Sequence, residues 1–451
     1  MTENTIKESD IFPKGFMRKL LIPLMIEQFL TFTIGLADTV MVSSAGEAAI
    51  SGVSLVDQIN ILLIQIFAAL ATGGAVIVSQ YIGRGEKEYA KSAVKQLTLI
   101  SFYASCAIMV VCLLLCPQIL GMIFGSVEED VMANCKTYFY LSAMSYPFLA
   151  FYNSGSAVFR SMGKSRVTMV TSVIMNLINV AGNAILIFGF GLGVLGAAAA
   201  TLISRAVGAV IMTVLMRNKN NEVYLEGLCK PKLEFKIIKQ ILYIGIPGGI
   251  ENGMFQVGKL LVARVVSTLG KSATAANAAS NTIAMLSNIP GSAVGLALVA
   301  IVGRAMGARL PATAEKYTKK LVGLTFLMMI GVNIIIFALV EPMSGMFSLT
   351  DTAEADTILI VRLFCIVSSV FWPLAFTVPN CLRAAGDVKF TLTVSMLSMW
   401  ICRVAMSYVF CYSFEMGIHG VWIAMYVDWV ARTVFFVRRF AKGKWKDLTI
   451  V

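Results

Sequence analysis

Histidine and charge are scarce in this chain: one His in 451 residues, and Asp, Glu, Lys and Arg together only 14%. With His419 alone, no histidine metal cluster can be assembled. Nine cysteines are present, but no CxxC pair occurs, and most lie in apolar stretches (Cys106, Cys112, Cys116, Cys365, Cys402 and Cys411 among them). They read as small core hydrophobes rather than metal or redox ligands. A phosphate-cradling loop and a nucleophile–base arrangement are also missing, which leaves an enzyme without support and implies no cofactor. The net charge of +12 does not come with interleaved basic and aromatic residues, so nucleic acid is not an expected partner. The first nineteen residues lack the short apolar core and small-residue cleavage site of a signal peptide, so the first apolar span is expected to serve as its own insertion signal.

Apolar residues are what the chain has in excess. They make up 58% of it, with a mean hydropathy of +0.80. A water-soluble protein of this length cannot hide so much apolar surface, and many stretches exceed the ~18 residues that mark a membrane span. Twelve can be read: 20–43, 55–82, 93–116, 135–158, 167–190, 194–216, 240–268, 278–303, 321–341, 358–381, 390–413 and 418–440. In lipid each must be a helix, because an open strand would leave backbone groups unpaired. The expected fold is therefore an all-α integral membrane protein of twelve transmembrane helices. With the amino terminus placed inside, the inner segments hold 29 of the 37 Lys and Arg residues, Lys7, Lys14 and Lys230 included, and the outer loops hold only Lys136 and Lys271. The positive-inside rule then puts both termini in the cytoplasm of a multi-pass cell-membrane protein.

The chain also repeats itself. Ile22-Pro23-x-x-x-Glu27 returns 224 residues later as Ile246-Pro247-x-x-x-Glu251, and at the same offset Gly46 matches Gly270, Gly83 matches Gly307 and Lys95 matches Lys319. After a three-residue gap, Tyr146-Pro147 with Arg160-x-x-Gly163 matches Trp372-Pro373 with Arg383-x-x-Gly386. Each repeat holds six spans, so the halves insert with one orientation and should form two six-helix bundles about a pseudo-two-fold axis along the membrane normal, with a cavity between them. The expected division is an amino lobe at 1–216, a polar linker at 217–239 and a carboxyl lobe at 240–451.

Ionisable side chains inside spans are costly, roughly 2.5–3.5 kcal/mol each on insertion scales, and so mark functional candidates. They are Glu27, Asp38, Glu251 and Asp428, with the basic Lys259 and Arg264. Glu27 and Asp38 are eleven residues apart and share one helix face, separated by roughly 16 Å along the axis. A desolvated carboxyl can trade a proton, and a carboxylate among amide and hydroxyl oxygens can hold Na+. Either ion would bias one conformation and couple a gradient to substrate movement. The structural alternative is a carboxylate held by interhelical pairing, with Lys259 or Arg264 as partner. Arg205 and Arg403 read as snorkelling or structurally paired. Asn176, Asn179 and Asn183 form one stripe on the fifth span. Thr201 follows a small-residue run on the sixth. Asp57, Gln58 and Asn60 read as the solvated cap of the second span, and Gly73-Gly74 as a point of close packing or bending.

The residues Gly35-Leu36-Ala37-Asp38-Thr39-Val40-Met41, Gln80-Tyr81-Ile82-Gly83, the Arg160 and Arg383 turns, and Gly193-x-x-Gly196-Ala197-Ala198 resemble those of the multidrug and toxic compound extrusion (MATE) family. That resemblance implies a monomeric antiporter in the lipid bilayer: Na+ or H+ enters while a small organic, usually cationic and amphipathic, molecule leaves. It further implies an amino-lobe cation site of Asp38, Asn179, Asn183 and Thr201, with Glu27, Glu251, Asp428 and Asn176 left as cavity, substrate or proton groups. A flippase of the same wider superfamily, moving a lipid-linked oligosaccharide, is the alternative. It would need Arg and Lys, rather than carboxylates, facing its cavity.

Overall fold

The computed structural model describes residues 8–13, 15–125, 127–227, 232–448 and 450–451; Lys7, Lys14 and Lys230 of the charge asymmetry lie outside them. Among the described residues the chain is helical throughout and has no strand. The main helices are α1 (Phe16–Ser43), α2 (Glu47–Arg84), α3 (Lys87–Leu114), α4 (Glu129–Met144), α5 (Tyr146–Ser161), α6 (Ser165–Asn183) and α7 (Gly193–Met216). The second half follows with α8 (Phe235–Thr268), α9 (Lys271–Gly307), α10 (Pro311–Gly345), α11 (Asp351–Trp372), α12 (Val388–Leu397) and α13 (Gly417–Ala441). Among the described residues, ten helices are long and apolar enough to cross a bilayer. The other two expected spans are helical as well: 240–268 lies on α8, and 135–158 lies on α4 and α5, which are separated only at Ser145. Pro147 sits in the first turn of α5, where a missing N–H costs nothing.

The repeat seen in the sequence is carried into the backbone. Gly46 and Gly270 precede the second helix of each half with matching angles, φ 106° and ψ 167° against φ 100° and ψ 175°. Only glycine takes that conformation without strain, which explains the pair. Pro23 and Pro247 both lie inside their helices, where each removes one backbone hydrogen bond. The fifth span of each half ends in a π-helical stretch, Ala184–Gly189 in one and Val409–Ser413 in the other.

The chain folds as two compact units, residues 14–249 and residues 1–13 with 250–451, called here the amino and carboxyl lobes. The segment expected to be a linker is docked within the first. Val223 and Leu225 are buried, the Leu225 N–H donates to the Met216 carbonyl at 2.8 Å, and Gln96 Nε2 donates to the Lys232 carbonyl at 2.9 Å. The start of α8 joins the same unit, with Tyr81 OH donating to Gln240 at 2.9 Å. The amino-lobe core gathers Val56, Phe67, Phe139, Tyr146 and Ala198. The carboxyl-lobe core is richer in aromatics, with Phe364, Trp372, Trp422 and Trp429.

Gly73 is the tightest backbone approach in the amino lobe. A Cβ there would sit 2.6 Å from the Ile241 carbonyl and 2.8 Å from the Gly245 nitrogen, and backbone cannot move aside as a side-chain tip can. Gly73→Ala is therefore expected to destabilise the protein by ~1–3 kcal/mol, the usual cost of overpacking. The check is a melting curve in detergent, and an unchanged midpoint would contradict the packing described.

Candidate functional site

Three residues expected to form a cation site come together with Asp38 in the amino lobe. Asp38 projects from α1 and is half-buried. Asn183, at the end of α6, donates its amide to Asp38 Oδ1 at 2.8 Å. Asn179, one turn earlier, lies between Asp38 and Thr201; with its amide turned so that each end meets its complement, the nitrogen is 2.7 Å and 3.1 Å from the two carboxylate oxygens and the oxygen accepts from Thr201 Oγ1 at 3.1 Å. The i, i+4 spacing of the two asparagines sets both on the face of α6 that packs against α1. Asn183 Oδ1 is buried and has no hydrogen-bond partner, an arrangement that normally costs ~1–3 kcal/mol. Asn176, on the same stripe, bonds instead to Ser172 at 3.3 Å.

Sequence reasoning missed the second half of this cluster. Asp57, read as a helix cap, lies ten residues inside the 38-residue α2. It accepts from Asn60 at 3.1 Å, has Tyr138 nearby, and is close enough to Asp38 for the two carboxylates to repel. Tyr146 OH donates to Asn60 Oδ1 at 2.8 Å. Arg205 is near enough to both carboxylates to act on their charge and donates to Ser145 Oγ at 2.6 Å, so it belongs electrostatically to the cluster. Two acids and one base leave a formal charge of −1. Carboxylate, amide and hydroxyl oxygens are the donor set of a hard cation, and one negative charge fits one monovalent ion. Among the described residues no three His, Cys, Asp or Glu converge as a metal site.

The other carboxylates are held in ion pairs, though not by the partners expected. Among the described residues neither Lys259 nor Arg264 pairs with a glutamate. Glu27 is buried with Arg160 Nη1 at 3.7 Å and accepts from Thr168 Oγ1 at 2.8 Å. Glu251 takes Arg383 Nη2 at 2.6 Å, and Arg383 Nη1 also donates to Asn380 at 3.0 Å. The two repeated motifs, Ile-Pro-x-x-x-Glu and Arg-x-x-Gly, are thus the two halves of one contact made once in each lobe. Asp428 is fully buried, accepting from Arg432 Nε at 2.9 Å and from the Ser398 hydroxyl. Arg432 Nη2 continues to the Ser395 carbonyl at 3.1 Å.

Comparison with known proteins agrees with this symmetry. The MatE family model matches residues 23–185 and again 247–409, so both ends of the second match lie 224 residues beyond the first. The chain is 28% identical over 445 residues to a probable multidrug resistance protein NorM of Thermotoga maritima, covering 96% of this chain and 93% of the relative. It is also 28% identical over 434 residues to an uncharacterized transporter, YisQ, of Bacillus subtilis, covering 94% of this chain and 93% of the relative. Among solved structures, a multidrug resistance MATE family transporter of the MOP superfamily in an outward-facing conformation matches with a TM-score of 0.89 at 23% identity, covering 98% of this chain and all of the other.

Proposed function

The chain belongs to the MatE family of multi-pass membrane transporters, and from that premise we propose that it is a secondary antiporter. It exports small organic, cationic and amphipathic molecules in exchange for Na+ or H+ by alternating access. The coupling site is Asp38 with Asn179, Asn183 and Thr201. The observation that carries this reading is the orphaned Asn183 oxygen beside a carboxylate cluster of net charge −1. A proton on Asp38, or Na+ among these oxygens, removes that charge and the repulsion from Asp57. An ion that binds one conformation better than another shifts their populations by its differential affinity, and that difference is what couples ion entry to substrate exit. The acidic excess here favours a cationic cargo over the anionic pyrophosphate of a lipid-linked oligosaccharide. The 29-to-2 asymmetry of basic residues supports both termini in the cytoplasm. The protein acts as a monomer, and no cofactor besides the coupling ion is required.

Right-side-out membrane vesicles loaded with ethidium and given a Na+ or an H+ gradient separately test the reading. Efflux should follow one of the two gradients and collapse when that gradient is dissipated. Efflux indifferent to both would overturn antiport.

The glutamates have a different part in this scheme. Each is engaged by an arginine of its own lobe, so Glu27 and Glu251 fix the motif ends rather than carry the ion. Glu27→Gln is expected to lower the melting temperature by several degrees, since it leaves Arg160 partly buried without its counter-charge. The ion dependence of efflux per folded molecule should stay as in the wild type. A folded variant that had lost its gradient dependence would instead place Glu27 in the coupling path.

A further inference from the structure

Where the last helix leaves the bilayer, the carboxyl lobe keeps a basic pocket that the antiport scheme leaves unused. Arg438 and Arg439 lie in the last turn of α13, and Lys442, just past its end, still has helical angles. Phe390 on α12 and Phe435 on α13 line a pocket of about 210 Å³ together with Arg438, Arg439, Lys442 and Lys444. Phe435, Arg438 and Lys442 follow the i, i+3, i+7 spacing, so they share one stripe of the helix.

The walls of this pocket are fixed by the fold. Arg439 donates from Nε and Nη2 to the two oxygens of the buried Asp387, at 2.6 Å and 3.1 Å. Its guanidinium lies 4.9 Å from the centre of the Phe390 ring. Beyond the helix, Gly443 takes φ 69°, a left-handed turn that glycine makes without strain. Trp445 then packs back with 0% of its surface exposed. It stacks on Phe440 at 5.3 Å and donates its Nε1–H to the Phe440 carbonyl at 3.0 Å, while Lys446 pairs with Glu315. This turn returns Lys444 to the pocket beside Lys442.

Four cations and no acid line the pocket, and Asp387 behind it answers Arg439 alone, which leaves a formal excess of +3. Arg438, Lys442 and Lys444 are exposed, and among the described residues none of the three is in an ion pair. The helix dipole and the inside bias of basic residues account for cations at such an end. They do not account for the aromatic floor. Phe435 is 53% exposed one turn before Arg438, and the exposed Val430 and Val434 continue the apolar surface along the helix into the membrane. A soluble phosphate would use the cationic rim and leave the rings and the apolar track unmatched. A phosphate carried on acyl chains matches all three.

We propose that the Phe390–Phe435 pocket at the end of α13 binds the headgroup of an anionic phospholipid, on the side that the basic asymmetry assigns to the cytoplasm. Arg438, Lys442 and Lys444 take the phosphate, and the two rings meet the glycerol backbone and the first methylenes. The inference goes beyond ion-coupled export and does not depend on it.

Native mass spectrometry of the purified full chain tests it, with phosphatidylglycerol and phosphatidylcholine of identical acyl chains titrated separately. The wild type should bind its first phosphatidylglycerol at least about fivefold tighter than phosphatidylcholine, the scale of one basic residue at a membrane surface. Arg438→Gln with Lys442→Gln should bring the two lipids toward equal affinity. Both side chains are exposed and unpaired, so the lipid-free melting midpoint should stay at the wild-type value. Arg217→Gln with Lys219→Gln removes the same charge from exposed positions just past α7, the last span of the amino lobe, and should keep the preference. Millimolar inorganic phosphate should leave the lipid bound. If the pocket variant melts early, the wild-type ratio and the Arg217/Lys219 variant decide. Equal binding of both lipids by the wild type would overturn the site. So would an equal loss in the Arg217/Lys219 variant, which would make net charge the cause, or displacement by inorganic phosphate, which would make the ligand a soluble anion.

Discussion

Asp38→Asn is expected to reduce ion-driven efflux at least about 100-fold, the rate equivalent of roughly 2.7 kcal/mol, while leaving the protein folded. The amide has the shape of the carboxylate and can still meet Asn183 and Asn179, so packing between α1 and α6 is kept. What is lost is charge. With Asp38 neutral, Asp57 and Arg205 balance each other and the cluster has no residual attraction for a cation. The gradient then has nothing to act on. Asp57→Asn makes a useful contrast, because it too neutralises the cluster but removes a group that already accepts from Asn60. Its effect on efflux should be smaller than that of Asp38→Asn. Initial efflux rates per folded molecule in vesicles check both. Wild-type rates in Asp38→Asn would remove the cluster from the mechanism.

The second large effect is on stability. Asp428 is 0% exposed and Arg432 is 3% exposed, the most deeply buried ion pair among the described residues. Asp428→Ala leaves the guanidinium in a dry interior with no counter-charge. A loss of ~3–5 kcal/mol is expected, as for breaking other buried pairs from one side. The folded yield after detergent extraction should fall sharply. Removing both charges, as Asp428→Leu with Arg432→Met, should recover more than half of that loss, since the desolvation cost of the pair goes with it. A single variant as stable as the wild type would mean that Arg432 reaches water or another acid.

Much of this architecture is legible in the sequence because lipid leaves few options. Long apolar runs must be helices, and the 224-residue offset of Pro23, Glu27 and Gly46 needs only counting. The same residues reappear as matched proline-containing helices and matched glycine turns. What the sequence conceals is which distant residues meet. Glu27 and Arg160 are visible as separate motifs 133 positions apart, and nothing local says that they form one ion pair. Asp57 was hidden for a different reason. Hydropathy starts the second span near residue 55, whereas the helix begins at Glu47, so a residue within the helix reads as its cap. Arg205 and Arg403 show the limit of reading charges singly. One is near enough to two carboxylates to act on their charge and the other has no ion-pair partner among the described residues, and only the neighbours contributed by other helices tell the two apart.

The most direct test of the coupling site is counterflow in liposomes containing the purified chain. An imposed gradient of ethidium, with no ion gradient at the start, should drive Na+ or H+ in the opposite direction. That flux, followed with a sodium- or pH-sensitive dye on the far side, should vanish in Asp38→Asn. Ethidium movement without any ion counterflow in the wild type, or counterflow that persists in Asp38→Asn, would contradict the account.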